Sequence, residues 1–182
     1  MMDLNDKVFN ELTSPLYSIA QIIVAETLAG NAFQVSSGVL TSSGSSQQMV
    51  MALTNPSGSG VRAVLDFIEI STNATALATT TAVIDGTVAG LNAVTAYNLN
   101  TAFSGKSPLC TVAANGGSGV SLTGGRLIFT QFLDVQDQHY PFPVVVTPGH
   151  SLAMNYVLTS SGNQGTFLFR WYEIPLTGGF TT

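Results

Sequence analysis

Gln48-Met49-Val50-Met51-Ala52-Leu53-Thr54 reads as a strand, Asn55-Pro56-Ser57-Gly58-Ser59-Gly60 as a turn, and Val61-Arg62-Ala63-Val64-Leu65-Asp66-Phe67-Ile68-Glu69-Ile70 as a second strand. In the first run Met49, Met51 and Leu53 fall on one face, the period of two that marks a half-buried strand. In the second, Val61, Ala63, Leu65 and Phe67 are expected to point inward. The Pro- and Gly-rich stretch between them breaks both periods, and a hairpin connection is its expected form.

The same texture continues downstream. Leu127, Phe129, Gln131, Leu133 and Val135 share a face, and Leu152, Met154, Tyr156 and Leu158 alternate within 151–159. Ser160-Ser161-Gly162-Asn163 then leads into Thr166 to Ile174, and these last two strands are expected to pair as a hairpin. Asp85-Gly86, Asn115-Gly116-Gly117 and Pro148-Gly149 are turn signals. The Ala/Thr-rich stretch 75–109 favours strand only weakly. Neither a βαβ spacing nor a repeat of 20 to 50 residues is visible. The expectation is an all-β, antiparallel β-sandwich over residues 31–182, with seven to nine strands in two sheets.

Residues 1–30 differ in texture. They carry Asp3, Asp6, Lys7, Glu11 and Glu26, five of the chain's fifteen charges. Leu4, Val8 and Leu12, with Phe9 beside them, recur at helical spacing, and Pro15 must interrupt that pattern. Ser14-Pro15 can start a second helix with a stripe of Leu16, Ile19, Ala20, Ile23, Val24, Thr27 and Leu28, and Gly30 would end it. The β-branched run Ile22-Ile23-Val24 argues instead for an extended segment. This region is a short helical or extended N-terminal appendage.

Composition narrows the function. Charged residues are 8% of the 182 and the net charge is −5, where about 25% charged is ordinary. An acidic chain lacks the basic footprint of a nucleic-acid binder. High apolar content with little charge is the reverse of a disordered composition. No apolar run is long enough to span a membrane, and no basic segment leads an apolar stretch at the N-terminus. The single Cys110 forms no internal disulfide.

Signals of catalytic or ligand chemistry are weak. Gly58-Ser59-Gly60 and Gly117-Ser118-Gly119 lack the spacing of a nucleophile elbow, and no Lys-Ser/Thr pair follows the first as a phosphate loop would need. Asp134, Asp137 and His139 lie close enough in sequence to ligate a cation, but they supply few oxygen ligands and read better as a solvated loop. Cys110 reads as a buried thiol. Phe167, Phe169 and Trp171 alternate on one strand and read as core rather than as a sugar-stacking platform. No cofactor is expected.

Three segments together carry a resemblance: Asn55-Pro56-Ser57-Gly58-Ser59-Gly60, the turn Pro148-Gly149-His150-Ser151-Leu152, and Arg170-Trp171-Tyr172-Glu173. In these turns and the closing strand the chain resembles, over residues 33–176, small β-sandwich structural proteins of tailed bacteriophage virions, such as head decorations, head fibres and tail or baseplate accessories. The resemblance implies a jelly-roll-like sandwich that self-associates, often as a trimer, and brings no catalytic residue with it. It also implies that the N-terminal segment attaches to the major capsid protein or another virion protein, in a particle assembled in the host cytoplasm. Sparse charge fits that expectation, because interface cores are depleted in charge.

The leading expectation is therefore a non-enzymatic virion structural protein. Leu4, Val8, Phe9, Leu12, Leu16, Ile19 and Ile23 would be its particle-docking residues. The alternative is a receptor- or carbohydrate-binding module using Tyr97, Asn98, Asn100 and Tyr140 as loop-borne ligand residues.

Overall fold

The structure, a computed structural model, describes residues 15–42, 44, 47–73, 78–133, 138–140, 143–157 and 162–176, apart from the side chains of 15–21, 132, 133, 138 and 139. A helix, α1 (Pro15–Leu28), leads into strands β1 (Ala32–Ser36), β2 (Leu40–Thr41), β3 (Gln48–Asn55), β4 (Val61–Thr72) and β5 (Ala78–Ile84). Short strands follow: β6 (Thr87–Ala89), β7 (Asn92–Val94) and β8 (Tyr97–Asn98), then a 3-10 turn over Thr101–Phe103. The chain continues through β9 (Thr111–Gly117), β10 (Ser121–Thr123), β11 (Arg126–Leu133), β12 (Gln138–Tyr140), β13 (Val144–Val146), β14 (His150–Val157) and β15 (Gln164–Pro175).

Two antiparallel sheets face each other. One has the order β12–β4–β15–β1–β8, with β13 also on β4 and β2 on β15. The other has the order β11–β5–β14–β3–β9–β7. Eight principal strands lie at the centre: β1–β15–β4–β12/β13 in one sheet and β3–β14–β5–β11 in the other. Along the chain these strands switch sheet at every step except β5 to β11, which pair directly. That is jelly-roll order. The long excursion 85–125 interrupts the one local pair. It adds β8 to one sheet, β9 and β7 to the other, and the small β6–β10 sheet.

This order corrects two expectations. β3 and β4 are not a hairpin, because their connection carries the chain from one sheet to the other. β14 and β15 likewise lie in opposite sheets. Their apolar faces meet across the core and so cannot also be joined by ladder hydrogen bonds. Asn55 makes the first crossing possible. It is fully buried, its amide donates to the carbonyls of Val61 and Val146 (both 2.9 Å), and its Oδ1 accepts from Ser59 Oγ (2.6 Å).

Between the sheets Met49, Met51, Leu53, Leu152, Met154 and Tyr156 meet Phe33, Leu65, Ile68, Phe167, Phe169 and Trp171. Leu158 and Val135, expected on inward faces, lie outside the described residues. Burying such side chains contributes roughly 1.5–3 kcal/mol each. Phe167, Phe169 and Trp171 are core, as their alternation indicates. A smaller cluster forms behind the second sheet, where Val120 and Leu122 cover Val50, Ala52, Val83 and Ala153. Thus β3 and β14 are buried on both faces.

Phe67 is not inward. The β4–β15 register slips between Arg170 and Trp171, so that Arg170 opposes Phe67 and Trp171 opposes Leu65, with Asp66 the extra residue. The bulge moves the inward set from Ala63 and Leu65 to Ile68 and Ile70. It also turns Asp66 toward Arg170, whose Nη2 and Nε donate to the carboxylate at 2.8–3.2 Å, while the guanidinium lies 5.0 Å from the Phe67 ring centroid. A second slip, between Leu127 and Phe129, puts Leu127 out of phase and in solvent. Asn115-Gly116-Gly117 is strand rather than turn, and the chain turns at Ser118-Gly119. A Cβ on Gly116 would crowd Met49 Cγ at 3.1 Å and Leu40 Cβ at 3.2 Å, so glycine there serves close packing.

Candidate interaction surface

α1 forms where the Ser-Pro start and the apolar period place it, and Gly30 ends it. Gly30 has φ +71, its N–H donates to the Thr27 carbonyl (3.0 Å), and Asn31 N–H donates to the Glu26 carbonyl (2.8 Å). This pair of bonds is a Schellman cap, which needs the left-handed residue that glycine adopts most easily. Asn31 then turns into β1. Its Nδ2 donates to Glu26 Oε2 (2.7 Å) and its Oδ1 accepts from Lys106 Nζ, so both charged neighbours are engaged by one side chain.

The helix lies on the outer face of the seven-stranded sheet. Ile23 packs with Ile174 on the cluster Ala32, Val64 and Tyr172. Among the expected docking residues, Ile23 is therefore already in use within the chain. Leu4, Val8, Phe9 and Leu12, and the side chains of Leu16 and Ile19, lie outside the described residues. The expected stripe also divides. Ile23 and Thr27 are half-buried, whereas Val24 (58% exposed) and Leu28 (69%) face solvent with Ile22.

Segment 97–110 wraps the C-terminal end of α1. Asn98 Nδ2 donates to the Gly30 carbonyl (2.7 Å), and Asn100 Nδ2 to the Leu28 carbonyl (3.1 Å). Their Oδ1 atoms accept from the backbone N–H of Asn100 and Ala102 (2.9 and 3.0 Å). Both amides are thus committed to holding the segment against the helix. Farther along, Glu173 is buried and accepts from Leu109 N–H (2.9 Å), Cys110 N–H (2.9 Å) and Trp171 Nε1 (3.3 Å). The carboxylate clamps the far end of the excursion to the sheet. Burial, with Glu173 alongside, pushes the Cys110 thiol well above its ordinary value, so it stays protonated and unreactive at neutral pH.

The segment is tied down by polar groups and displays apolar ones. Tyr97 (70% exposed), Leu99, Phe103 and Leu109 face solvent, as do Leu28 and Val24 on α1. With Ile22, these make seven of the thirteen exposed large apolar residues among the described residues. Sequence reading singled out Tyr97, Asn98 and Asn100 and missed Leu99 and Phe103. Their signal was apolar residues at no strand or helix period inside an Asn-, Ser- and Gly-rich stretch. Tyr140 is corrected. It is buried in the core and stacks on Phe129 (centroids 4.8 Å apart), so it is not a loop-borne ligand residue.

The resemblance-bearing turns meet at one end of the sandwich. Gly149 N–H donates to the Asn55 carbonyl (2.8 Å), and Leu176 N–H to the Gly60 carbonyl (2.8 Å). Nearby, Asp85, at φ 56, accepts from Ser151 N–H (3.0 Å) and pairs with His150 Nδ1 (2.8 Å). The His150 contact first, then the Ser151 N–H, holds the Asp85 carboxyl below its ordinary range. Asp134, Asp137 and the His139 side chain lie outside the described residues. Among the described residues no three His, Cys, Asp or Glu side chains gather as a metal site, and no helix is long and apolar enough to cross a membrane. No family model matches the chain, and neither does any curated protein.

Proposed function

We propose that this chain is a non-enzymatic structural protein of a phage virion that self-associates and attaches to a capsid or other particle component through its N-terminal region. The observation that carries the attachment is the apolar surface of Ile22, Val24, Leu28, Leu99 and Phe103. Large apolar side chains left exposed on a folded protein mark candidate contact surfaces. Among the described residues, Glu26 and Lys106 at the end of α1 are both tied to Asn31. The jelly-roll sandwich and the low charge of the whole chain support the same reading.

Because α1 is docked on the chain's own sheet, point substitutions test the reading better than truncation. Val24→Asp with Leu28→Asp places two carboxylates on the surface without touching the core. Co-sedimentation with particles of the phage is expected for the native chain and lost for the double variant, with unchanged circular dichroism. Equal co-sedimentation of the two would refute the attachment role. The second reading, a receptor- or carbohydrate-binding module, now rests on Tyr97 alone. A glycan screen in which binding disappears on Tyr97→Ala would favour it.

A further inference from the structure

We propose that β11 is the self-association edge, and that its occupant is β11 of a second copy, running antiparallel about a two-fold axis at Gln131. This rests on the self-association reading above and names its surface. The other outer strands are short: β7, β12 and β13 have three residues each and β8 has two. β11 has eight, Arg126-Leu127-Ile128-Phe129-Thr130-Gln131-Phe132-Leu133, and among the described residues it pairs only with β5. A long edge leaves a row of backbone N–H and C=O groups that recognise another extended strand, and it is normally blunted by proline, charge or a bulge. Proline is absent here, and the bulge at Ile128 leaves Phe129–Leu133 in regular register. Arg126, at its start, is its one charged residue, and Leu127 (59% exposed) and Ile128 stand in solvent beside it.

Charge and pleat select the occupant. Parallel pairing of two copies would set the two Arg126 side chains beside each other. Antiparallel pairing about Gln131 sets them ten positions apart, about 34 Å, well beyond the screening length of about 8 Å. The bulge at Ile128 ends the regular ladder, and Phe129–Leu133 stay in unbroken register with Ala82–Ala78. Gln131 is the midpoint of that regular run. A two-fold axis normal to the sheet keeps both core-side faces on one side, so opposed residues must share a face. Pairing about Gln131 satisfies this, with position 129 in register with position 133 of the other copy and Gln131 in register with its own copy. The two six-stranded sheets join into one, and the isologous contact closes at a dimer rather than growing into a fibre.

The test uses the full chain with Gln131→Lys and, separately, Gln131→Cys. Lysine at the axis meets its own copy, and like charges so placed should weaken the dimer about tenfold or more. Light scattering over a dilution series reads this, and circular dichroism confirms that the exposed site leaves the fold intact. Cys110 is buried, so Gln131→Cys supplies the accessible thiol. Directly opposed strand residues suit a disulfide, and oxidised glutathione should give a species of twice the chain mass on a non-reducing gel. A native oligomer that Gln131→Lys dissociates and Gln131→Cys cross-links supports the proposal. A native oligomer indifferent to lysine and refractory to cross-linking overturns this edge while self-association stands. A native monomer at all concentrations overturns both.

Discussion

β15 and segment 97–109 are both rich in large apolar side chains and dispose of them in opposite ways. β15 lies between β4 on one side and β1 with β2 on the other, and Phe167, Phe169 and Trp171 are essentially inaccessible. Segment 97–109 has only the two residues of β8 in a ladder. Polar side chains hold the rest in place, and Tyr97, Leu99, Phe103 and Leu109 remain in solvent. Where ladder bonds fix the backbone, apolar groups make the core. Where Asn98, Asn100 and Glu173 fix it, apolar groups are left in solvent.

The contrast is broken most severely from the core side. Trp171→Ala should cost about 3–5 kcal/mol, read by urea denaturation. Glu173→Ala comes next. It leaves the N–H groups of Leu109 and Cys110 without their acceptor, at about 2–3 kcal/mol, and it should expose the far end of the excursion to hydrogen exchange before the sandwich opens. Gly30→Ala should cost about 1–2 kcal/mol for a left-handed alanine, and more where its Cβ meets Phe103, 2.5 Å from Cγ. Leu99→Ser should move the unfolding midpoint little, within about 0.5 kcal/mol, while reducing attachment to particles.

The smallest effect is at Asp85. Its folded pKa is depressed, so its contribution is present above the ordinary carboxylate value of 3.8 and disappears as pH falls through the depressed value. Asp85→Asn should therefore lower stability slightly at neutral pH, where the carboxylate contributes, and converge with the native chain at the acid end, as thermal melts between pH 2 and 7 would show.

Much of the fold was legible because β3, β14 and β15 alternate cleanly, and a period of two identifies a strand whatever it pairs with. Pairing was not legible. In jelly-roll order sequence neighbours face each other across the core instead of hydrogen-bonding, so turn signals at Asn55–Gly60 and Ser160–Asn163 imitate hairpins. Phe67 and Leu127 were misplaced because a bulge changes the phase without any mark in composition. Of the candidate surface, Tyr97 and the helix were visible. Leu99 and Phe103 were not, since their exposure depends on Asn98 and Asn100 capping a helix some 70 residues earlier in the chain. Tyr140 was misread because its neighbours Pro141 and Pro143 suggest a loop, whereas it ends a short strand on β4.

On the proposed reading, further copies of the chain cover part of its charge-poor surface. Multi-angle light scattering of the intact chain, diluted from high to low micromolar concentration, tests it most directly. The expected mass is a multiple of 19.0 kDa that falls toward one chain only on dilution. A constant mass of 19.0 kDa at every concentration would contradict it.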